Sequence, residues 1–230
     1  MLHDTCKDLI RFKDVDFQFP HTRPSRPFIL KDFSFGIREN QVVGLLGSNG
    51  AGKSTVLRLA AGIYGPTSGQ VLRSVKIHPM FGVGTGFHNE LTGHQNAMLY
   101  GSYLGVSTAE ILNAMPNIIE FSGLGDAFAE PLYRYSRGMR ARLGFSVVSE
   151  LHPEFLVLDE VFSGGDRDFR EKSKRRMFEL VEQCRGMFLA SHNTALLRKV
   201  CTDLIWIEHG ELRAYGDTSE VISQWENSAL

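Results

Sequence analysis

Charge of one sign is what this sequence lacks most plainly: 25 Lys plus Arg stand against 26 Asp plus Glu. A chain whose main business is coating nucleic acid usually carries a marked basic excess, so the balance argues against that class. Cysteine is scarce as well. Cys6, Cys184 and Cys201 are scattered and odd in number, and no CxxC or Cys/His spacing suggests a metal, so they read as thiols of a reducing cytosol. Long apolar runs are missing too. The opening MLHDTCKDLIRF carries acids and no apolar core of signal-peptide length. Nowhere does an uninterrupted apolar stretch approach the ~20 residues of a membrane-spanning helix. Repeats, low-complexity tracts and linkers are also absent. The 230 residues suffice for one large domain, or a domain carrying a subdomain, with a buried core.

What is present alternates between strand and helix patterns. Phe12, Val15, Phe17 and Phe19 precede the Pro-rich PHTRPSRP, and Phe33, Phe35 and Ile37 follow it, which predicts an antiparallel β arm. QVVGLLG (41–47) is a short buried strand leading into the helix-like KSTVLRLAAGI, and Gln70 to His78 reads as another strand. From Leu91 to Leu151 the pattern is mostly helical, with Ser107-Thr108 and Ser136 as starts, and 91–151 is expected to be an inserted helical subdomain. PEFLVLDE (153–160) is a buried-strand pattern followed by a charged helix from about Asp166 to Cys184. GMFLASH (186–192), LIWIEHG (204–210) and ELRAYG (211–216) complete the sheet. Strands alternating with helices give an α/β fold with a mainly parallel sheet.

The chemistry concentrates in GSNGAGKST, residues 47–55, which matches GxxxxGK[ST] between a strand and a helix. Gly47, Gly50 and Gly52 allow successive N–H groups, including those of Ser48, Asn49 and Ala51, to turn inward around phosphate oxygens. Lys53 supplies a charge for the β- and γ-phosphates of ATP, the Ser54 hydroxyl ligates Mg²⁺, and the helix running through Thr55 adds its positive end. FLVLDE ends in Asp159, a second Mg²⁺ group, and Glu160 beside it can act as general base on the attacking water. His192, at another strand tip, falls on the sheet edge where ligands of open α/β sheets bind.

YSRGMRARLGFS (135–146) places a serine, a glycine and three arginines at a helix start, which reads either as a solvated helix N-terminus or as an anion site whose anion is missing from this chain's own half of the pocket. Arg140 and Arg142 read there as an exposed basic face. The order of strand–GSNGAGKST, helical segment, YSRGM, LVLDE, SGGD and SH resembles the ATP-binding-cassette ATPases over nearly the whole chain. The resemblance implies a P-loop NTPase fold with a RecA-like parallel core, the β arm and the helical insertion. It implies a head-to-tail homodimer burying two ATPs, with Ser136 and the Gly138 backbone gripping the γ-phosphate held by the other copy's Lys53. Phe19 falls where the family stacks an aromatic on adenine, and Asp166 lies in the loop that communicates across the dimer.

Arg137 and Met139 replace the glycine and glutamine of the common signature, and FGVGTGFHNELTG (81–93) lacks the family's lid glutamine. YS-x-GM-R-x-RLGF, GTGFH-x-ELTG, DEV-x-x-GGD and the closing LIWIEHGELRAYGDTSEVISQWE resemble the subgroup exporting bacterial O-antigen, capsule and teichoic acid. That implies a separate membrane permease as partner, a place on the cytoplasmic face of the inner membrane, and no nucleic-acid partner. Since the sequence stops at Leu230, the C-terminal sugar-binding domain of some O-antigen exporters is expected to be absent. Two rivals stand beside it. A small-molecule P-loop kinase usually begins with its phosphate loop and needs an acceptor lid. A non-transport cassette usually pairs two cassettes or inserts a long coiled coil. A GTPase would require [NT]KxD, which the sequence lacks. Phe87 and His88 are expected on an exposed docking loop, REKSKRRMFE (170–179) on a solvated face with i,i+4 pairs, and Trp206 and Trp225 at the core or its edge.

Overall fold

The structure, a computed structural model, describes residues 8–20, 28–81, 86–159 and 166–228. In chain order the strands are β1 (Ile10–Phe17), β2 (Leu30–Ile37), β3 (Val42–Leu46), β4 (Ser68–Arg73), β5 (Ile77–Phe81), β6 (Phe155–Asp159), β7 (Gly186–Ala190), β8 (Asp203–Glu208) and β9 (Glu211–Asp217). The α-helices are α1 (Lys53–Ala60), α2 (Gly93–Tyr103), α3 (Thr108–Ser122), α4 (Arg137–Glu150), α5 (Arg167–Gln183), α6 (Thr194–Val200) and α7 (Thr218–Ser228). Contacts divide the chain into two compact units. The first takes residues up to Lys76, Glu154–Asp159 and Arg185 onward; the second takes Ile77–Pro153 and Glu160–Cys184.

In the first unit β3, β6 and β7 are nearly uniform apolar runs, as strands covered on both faces require. β6, β7, β3 and β8 lie side by side and parallel, and β9 returns antiparallel against β8. The β8–β9 turn is two residues, His209 (φ 50°) and Gly210 (φ 81°), the left-handed pair a tight hairpin needs. The expected β arm is present, but β4 joins it, giving a three-stranded antiparallel sheet of order β2-β1-β4. Its inner face carries Phe12, Phe33 and Phe35, and Phe35 packs on Phe188 of β7 at 5.6 Å between ring centres. The single strand expected over Gln70–His78 is instead two, β4 and β5. The break falls at Ser74, whose hydroxyl turns back to the Asp8 carbonyl at 2.8 Å.

In the second unit each helix start carries its own capping residue. Thr92 and Ser107 form capping boxes with Gln95 and Glu110, and Gly123 closes α3 in the left-handed conformation. Ser136 caps α4 and Asp166 caps α5. Phe121, Phe145 and Phe169 meet between α3, α4 and α5 with ring centres 5.8–6.2 Å apart. The run 170–179 is only partly the solvated face expected. Lys172 lies over the Phe121 ring at 4.2 Å and donates to the Phe121 carbonyl, while Arg176 is largely covered and donates to the Ser149 carbonyl. Its ion pairs are Arg176–Glu179, three residues apart, and Arg176–Glu150. Trp206 and Trp225 are both half-buried, at the edge of the first unit's core.

Candidate functional site

Three parallel strands of the first unit end together. Leu45 of β3 and Asp159 of β6 both align with Ala190 of β7. The phosphate loop, Asp159 and the Ser191-His192 pair therefore leave from one sheet edge, as the sequence suggests. Gly47 begins the loop at φ 155°, and a Cβ there would lie 2.2 Å from the Ile207 carbonyl oxygen, so only glycine lets the loop turn so close to β8. Gly50 has φ 80° with no atom within 4 Å of a Cβ position; it serves conformation, on a side open to a ligand. The Gly210 N–H donates to the Ala51 carbonyl at 3.2 Å, so the β8–β9 hairpin braces the loop.

Lys53 is buried, and its ammonium donates to the Gly47 and Ser48 carbonyls at 2.8 and 2.9 Å. The lysine thus holds the loop in its curve. α1 is capped by Gly52, which has no side chain to offer, and its first turn carries no acid. Its leading N–H groups consequently lack the side-chain acceptor that capped helices supply. Ser48 and Asn49 are exposed, Ala51 and Thr55 buried, and Ser54 half-buried at the helix start. Asp159 is half-buried at its strand tip and His192 is exposed. Asn193, which follows, caps α6 through the Leu196 N–H. Glu160 lies outside the described residues.

Phe19 is 39 % exposed and packs edge-on against Phe17 and Tyr64 at 5.1 and 5.7 Å. Tyr64 stacks on Phe17 and receives Arg58 over its ring at 5.9 Å. This aromatic cluster was missed by sequence reasoning. Its one local signal is an aromatic inside the GIYG turn that ends the phosphate-loop helix.

The second group of site residues belongs to the second unit. The Ser136 Oγ accepts the Met139 N–H at 3.2 Å and starts α4, with Gly138 in its first turn. Ser136, Gly138, Met139 and Arg142 of this helix, with Gly123, Leu124 and Asp166, line an open concavity of about 400 Å³. Asp166 uses one oxygen to cap α5 at the Phe169 N–H (2.9 Å) and the other to pair with Arg142. Arg142 also lies over the Phe169 ring at 5.5 Å. Arg140 donates to the Asn89 side chain at 2.7 Å and the Leu132 carbonyl at 2.8 Å. The exposed basic face expected of Arg140 and Arg142 is thus overturned: both are internal ties, for which neutral and acidic acceptors were available on neighbouring segments. Tyr135, ahead of the cap, donates to the Ala127 carbonyl at 2.6 Å, and burial pushes its phenol up to about 12.

Phe87 is likewise not presented outward. It is half-buried, edge-on to Tyr100 at 5.3 Å and in contact range of Gly144 on α4. His88 is exposed, but its backbone N–H and carbonyl are both held by Asn96, at 2.8 and 3.0 Å. The flanking Gly82 and Gly84 lie outside the described residues. Among the described residues there is no cluster of three or more His, Cys, Asp or Glu able to hold a metal by themselves, and no helix long and apolar enough to cross a membrane.

Comparison with known proteins gives the family and the fold. The sequence is 38 % identical over 216 residues to a teichoic acids export ATP-binding protein, TagH, of Staphylococcus haemolyticus, covering 94 % of this chain and 81 % of that one. It is 37 % identical over 222 residues to the O-antigen export system ATP-binding protein RfbB of Klebsiella pneumoniae, covering 96 % and 89 %. Among solved structures, the ATP-binding subunit of an ABC transporter superposes with a TM-score of 0.80 at 22 % identity, over 95 % of this chain and 93 % of that one. A dimeric ATP-binding cassette, MJ0796, bound to ADP and Pi gives 0.77 at 20 % identity, over 91 % and 98 %. The fold is therefore that of the α/β P-loop ATPases of this class. Residues 30–163, from β2 through the stretch that follows Asp159, match the ABC transporter family model, and the chain belongs to that family.

Proposed function

We propose that this chain is the ATP-binding and ATP-hydrolysing subunit of an exporter of a lipid-linked surface polysaccharide, working as a homodimer with a separate membrane permease at the cytoplasmic face of the inner membrane. The observation that carries the reading is the division of phosphate-binding features. A pre-curved loop held by Lys53 stands at one sheet edge, and a second helix start, Ser136-Arg137-Gly138, opens on a concavity in the other unit. Each supplies part of an anion site. Two copies arranged head to tail would complete two sites. The two named relatives, both export ATP-binding proteins, support the polysaccharide assignment.

In this reading Phe19 stacks on adenine, and the N–H groups of residues 47–55 receive the phosphates. Lys53 exchanges its loop carbonyls for β- and γ-phosphate oxygens. The Ser54 hydroxyl and the Asp159 carboxylate would hold Mg²⁺, which takes one or two such protein oxygens and completes its shell with phosphates and water. The chemistry Mg²⁺ would supply there is positive charge to offset that of the phosphates. Glu160 takes a proton from the attacking water, and His192 orients that water against the γ-phosphate. From the partner copy, Ser136 and the Gly138 N–H bind the γ-phosphate, and Asp166 lies beside it. Since a ligand shifts a conformational equilibrium only through differential affinity, the phosphate contacts made only in the closed dimer are what drive closure. Hydrolysis removes them and the dimer reopens.

Complementation tests this. Expression in a strain lacking a teichoic-acid or O-antigen export ATPase, together with a membrane permease of that class, should restore surface polymer. Lys53→Ala should not. Restoration by the Lys53→Ala protein would refute the ATP-driven role. Absence of polymer despite ATP hydrolysis by the purified wild-type chain would refute the assigned substrate class.

A further inference from the structure

We propose that Arg140 is a positioning residue that couples the phosphate-facing start of α4 to the segment Phe87–Thr92, so that nucleotide engagement is transmitted to that segment. The inference rests on the reading of Ser136 and Gly138 as phosphate ligands. It gives a role to GTGFHNELTG, a motif that the nucleotide groups leave unused.

The geometry is a closed ring of bonds within the second unit. Arg140 makes the first backbone bond of α4, its N–H donating to the Ser136 carbonyl at 3.1 Å. Its guanidinium donates to Asn89 Oδ1 at 2.7 Å and to the Leu132 carbonyl at 2.8 Å. The same two segments are joined by backbone: the Tyr133 N–H donates to the Asn89 carbonyl at 2.9 Å, and the Leu132 N–H to the Leu91 carbonyl at 3.0 Å. Behind them Asn96, fully buried, donates to the carbonyls of His88, Leu91 and Thr92 at 2.9–3.0 Å. Asn96 therefore fixes the segment to α2, and Arg140 is its charged tie to α4.

Among the described residues no carboxylate pairs with Arg140; both of its side-chain acceptors are neutral. Burial is incomplete, so the charge is tolerated. Ser136 and Arg140 stand about one helical turn apart, a backbone rise of about 6 Å at 1.5 Å per residue, so a phosphate at Ser136 would lie off the same helix end as Arg140. The phosphate's negative charge would be a counter-charge to Arg140. Drawn toward it, the guanidinium loosens its hold on Asn89 and Leu132, whose neutral oxygens bind less strongly than an anion does. Nucleotide at the start of α4 thereby becomes a change in the exposed His88-Asn89 turn. This supplies the differential interaction that coupling between two sites requires.

Amide hydrogen exchange on the full chain, with and without saturating Mg²⁺-ATP, tests it. In wild type ATP should slow exchange at 136–140 and alter it at 86–92 by about five-fold or more, the lower end of ordinary coupling. Arg140→Gln should keep the first change and lose the second. Asn89→Ala, which leaves α4 intact, should do the same. A static brace would instead raise exchange at 86–92 equally with and without ATP, leaving the ATP-dependent ratio at its wild-type value; that result overturns the proposal. Protection of 136–140 without any change at 86–92 in wild type also refutes the coupling alone. If ATP binds through Lys53 yet protects neither segment, the reading of α4 as a phosphate site falls, and the coupling falls with it.

Discussion

Ser136→Asp should stabilise the fold and destroy the function, a pair of opposite signs that only a phosphate-facing cap produces. The Ser136 hydroxyl accepts the Met139 N–H at 3.2 Å, and α4 has no acid in its first turn. Aspartate caps at least as well as serine and adds a negative charge where the helix dipole favours one, about 0.3–1 kcal/mol. Removing the cap with Ser136→Ala should cost about 1 kcal/mol, a fall in Tm of roughly 2–4 °C for a chain of this size. The functional ledger runs the other way. One uncompensated phosphate charge about 5 Å from the new carboxylate, at an effective dielectric constant of about 20, is opposed by about 3 kcal/mol. ATP-dependent dimerisation and turnover should therefore fall by on the order of 10²-fold for Ser136→Asp. Nucleotide binding by the monomer, which needs only the phosphate loop, should persist. Thermal melts, fluorescent-nucleotide titration and sedimentation in a non-hydrolysable ATP analogue measure the three quantities on one preparation. A Ser136→Asp protein that dimerises and hydrolyses like wild type would refute the trans-phosphate role of α4. Loss of monomer binding would show that Ser136 serves its own chain's nucleotide.

Gly47→Ala should lose nucleotide binding and cost about 1–3 kcal/mol in urea unfolding, because its Cβ meets the fixed Ile207 carbonyl at 2.2 Å. Glu160→Gln should retain ATP binding, slow turnover by ~10²-fold or more, and accumulate the ATP-bound dimer in size-exclusion chromatography. Burial pushes the Cys184 thiol up to about 11 and Cys201 to about 12, from 9.0, so both stay protonated in the folded state while the unfolded thiols ionise. The stabilising contribution is complete below pH 9 and is lost as pH rises from there toward 11–12, so urea midpoints should fall between pH 8.5 and 10.5, less steeply in Cys201→Ser.

The parts legible in the sequence are those whose cause is local. The apolar runs of β3, β6 and β7 need no partner to be recognised, and the Ser107 and Ser136 caps announce their helices by residue type alone. The phosphate loop is read from glycine and lysine spacing. What escaped depends on distant partners. Arg142 finds Asp166 across 24 residues, Arg140 finds Asn89 across 51, and Arg176 reaches Ser149 across 27. No window of ten residues contains either end of those bonds together. The strand break at Ser74 escaped because β-favouring Val71, Val75 and Ile77 continue on both sides of it, while its cause, the Asp8 carbonyl, lies 66 residues away. α6 escaped for a different reason: it is only seven residues long, with Leu197 and Val200 alone buried, too short for a 3.6-residue period to register.

The two groups proposed to bind phosphate differ in how far they are built before any ligand arrives, and in that reading the difference gives them different work. In the phosphate loop the lysine is already bonded to two loop carbonyls, Gly47 is locked against Ile207, and Gly210 braces Ala51. Little ordering remains to be done on binding, which favours affinity in a single chain. The start of α4 is different. Ser136 is exposed and lines a wide concavity with Gly138, and Asp166, which also lines it, is tied to Arg142. A phosphate there would be left half in water, where each contact is weak, unless a second surface excludes the solvent. Binding strength at α4 therefore appears only on closure, and an interaction realised only in the closed state changes the closing equilibrium and not the first encounter with ATP. In the proposed mechanism, ATP affinity rests with Lys53 and the loop, and the coupling of ATP to movement with Ser136, Gly138 and the arginines behind them.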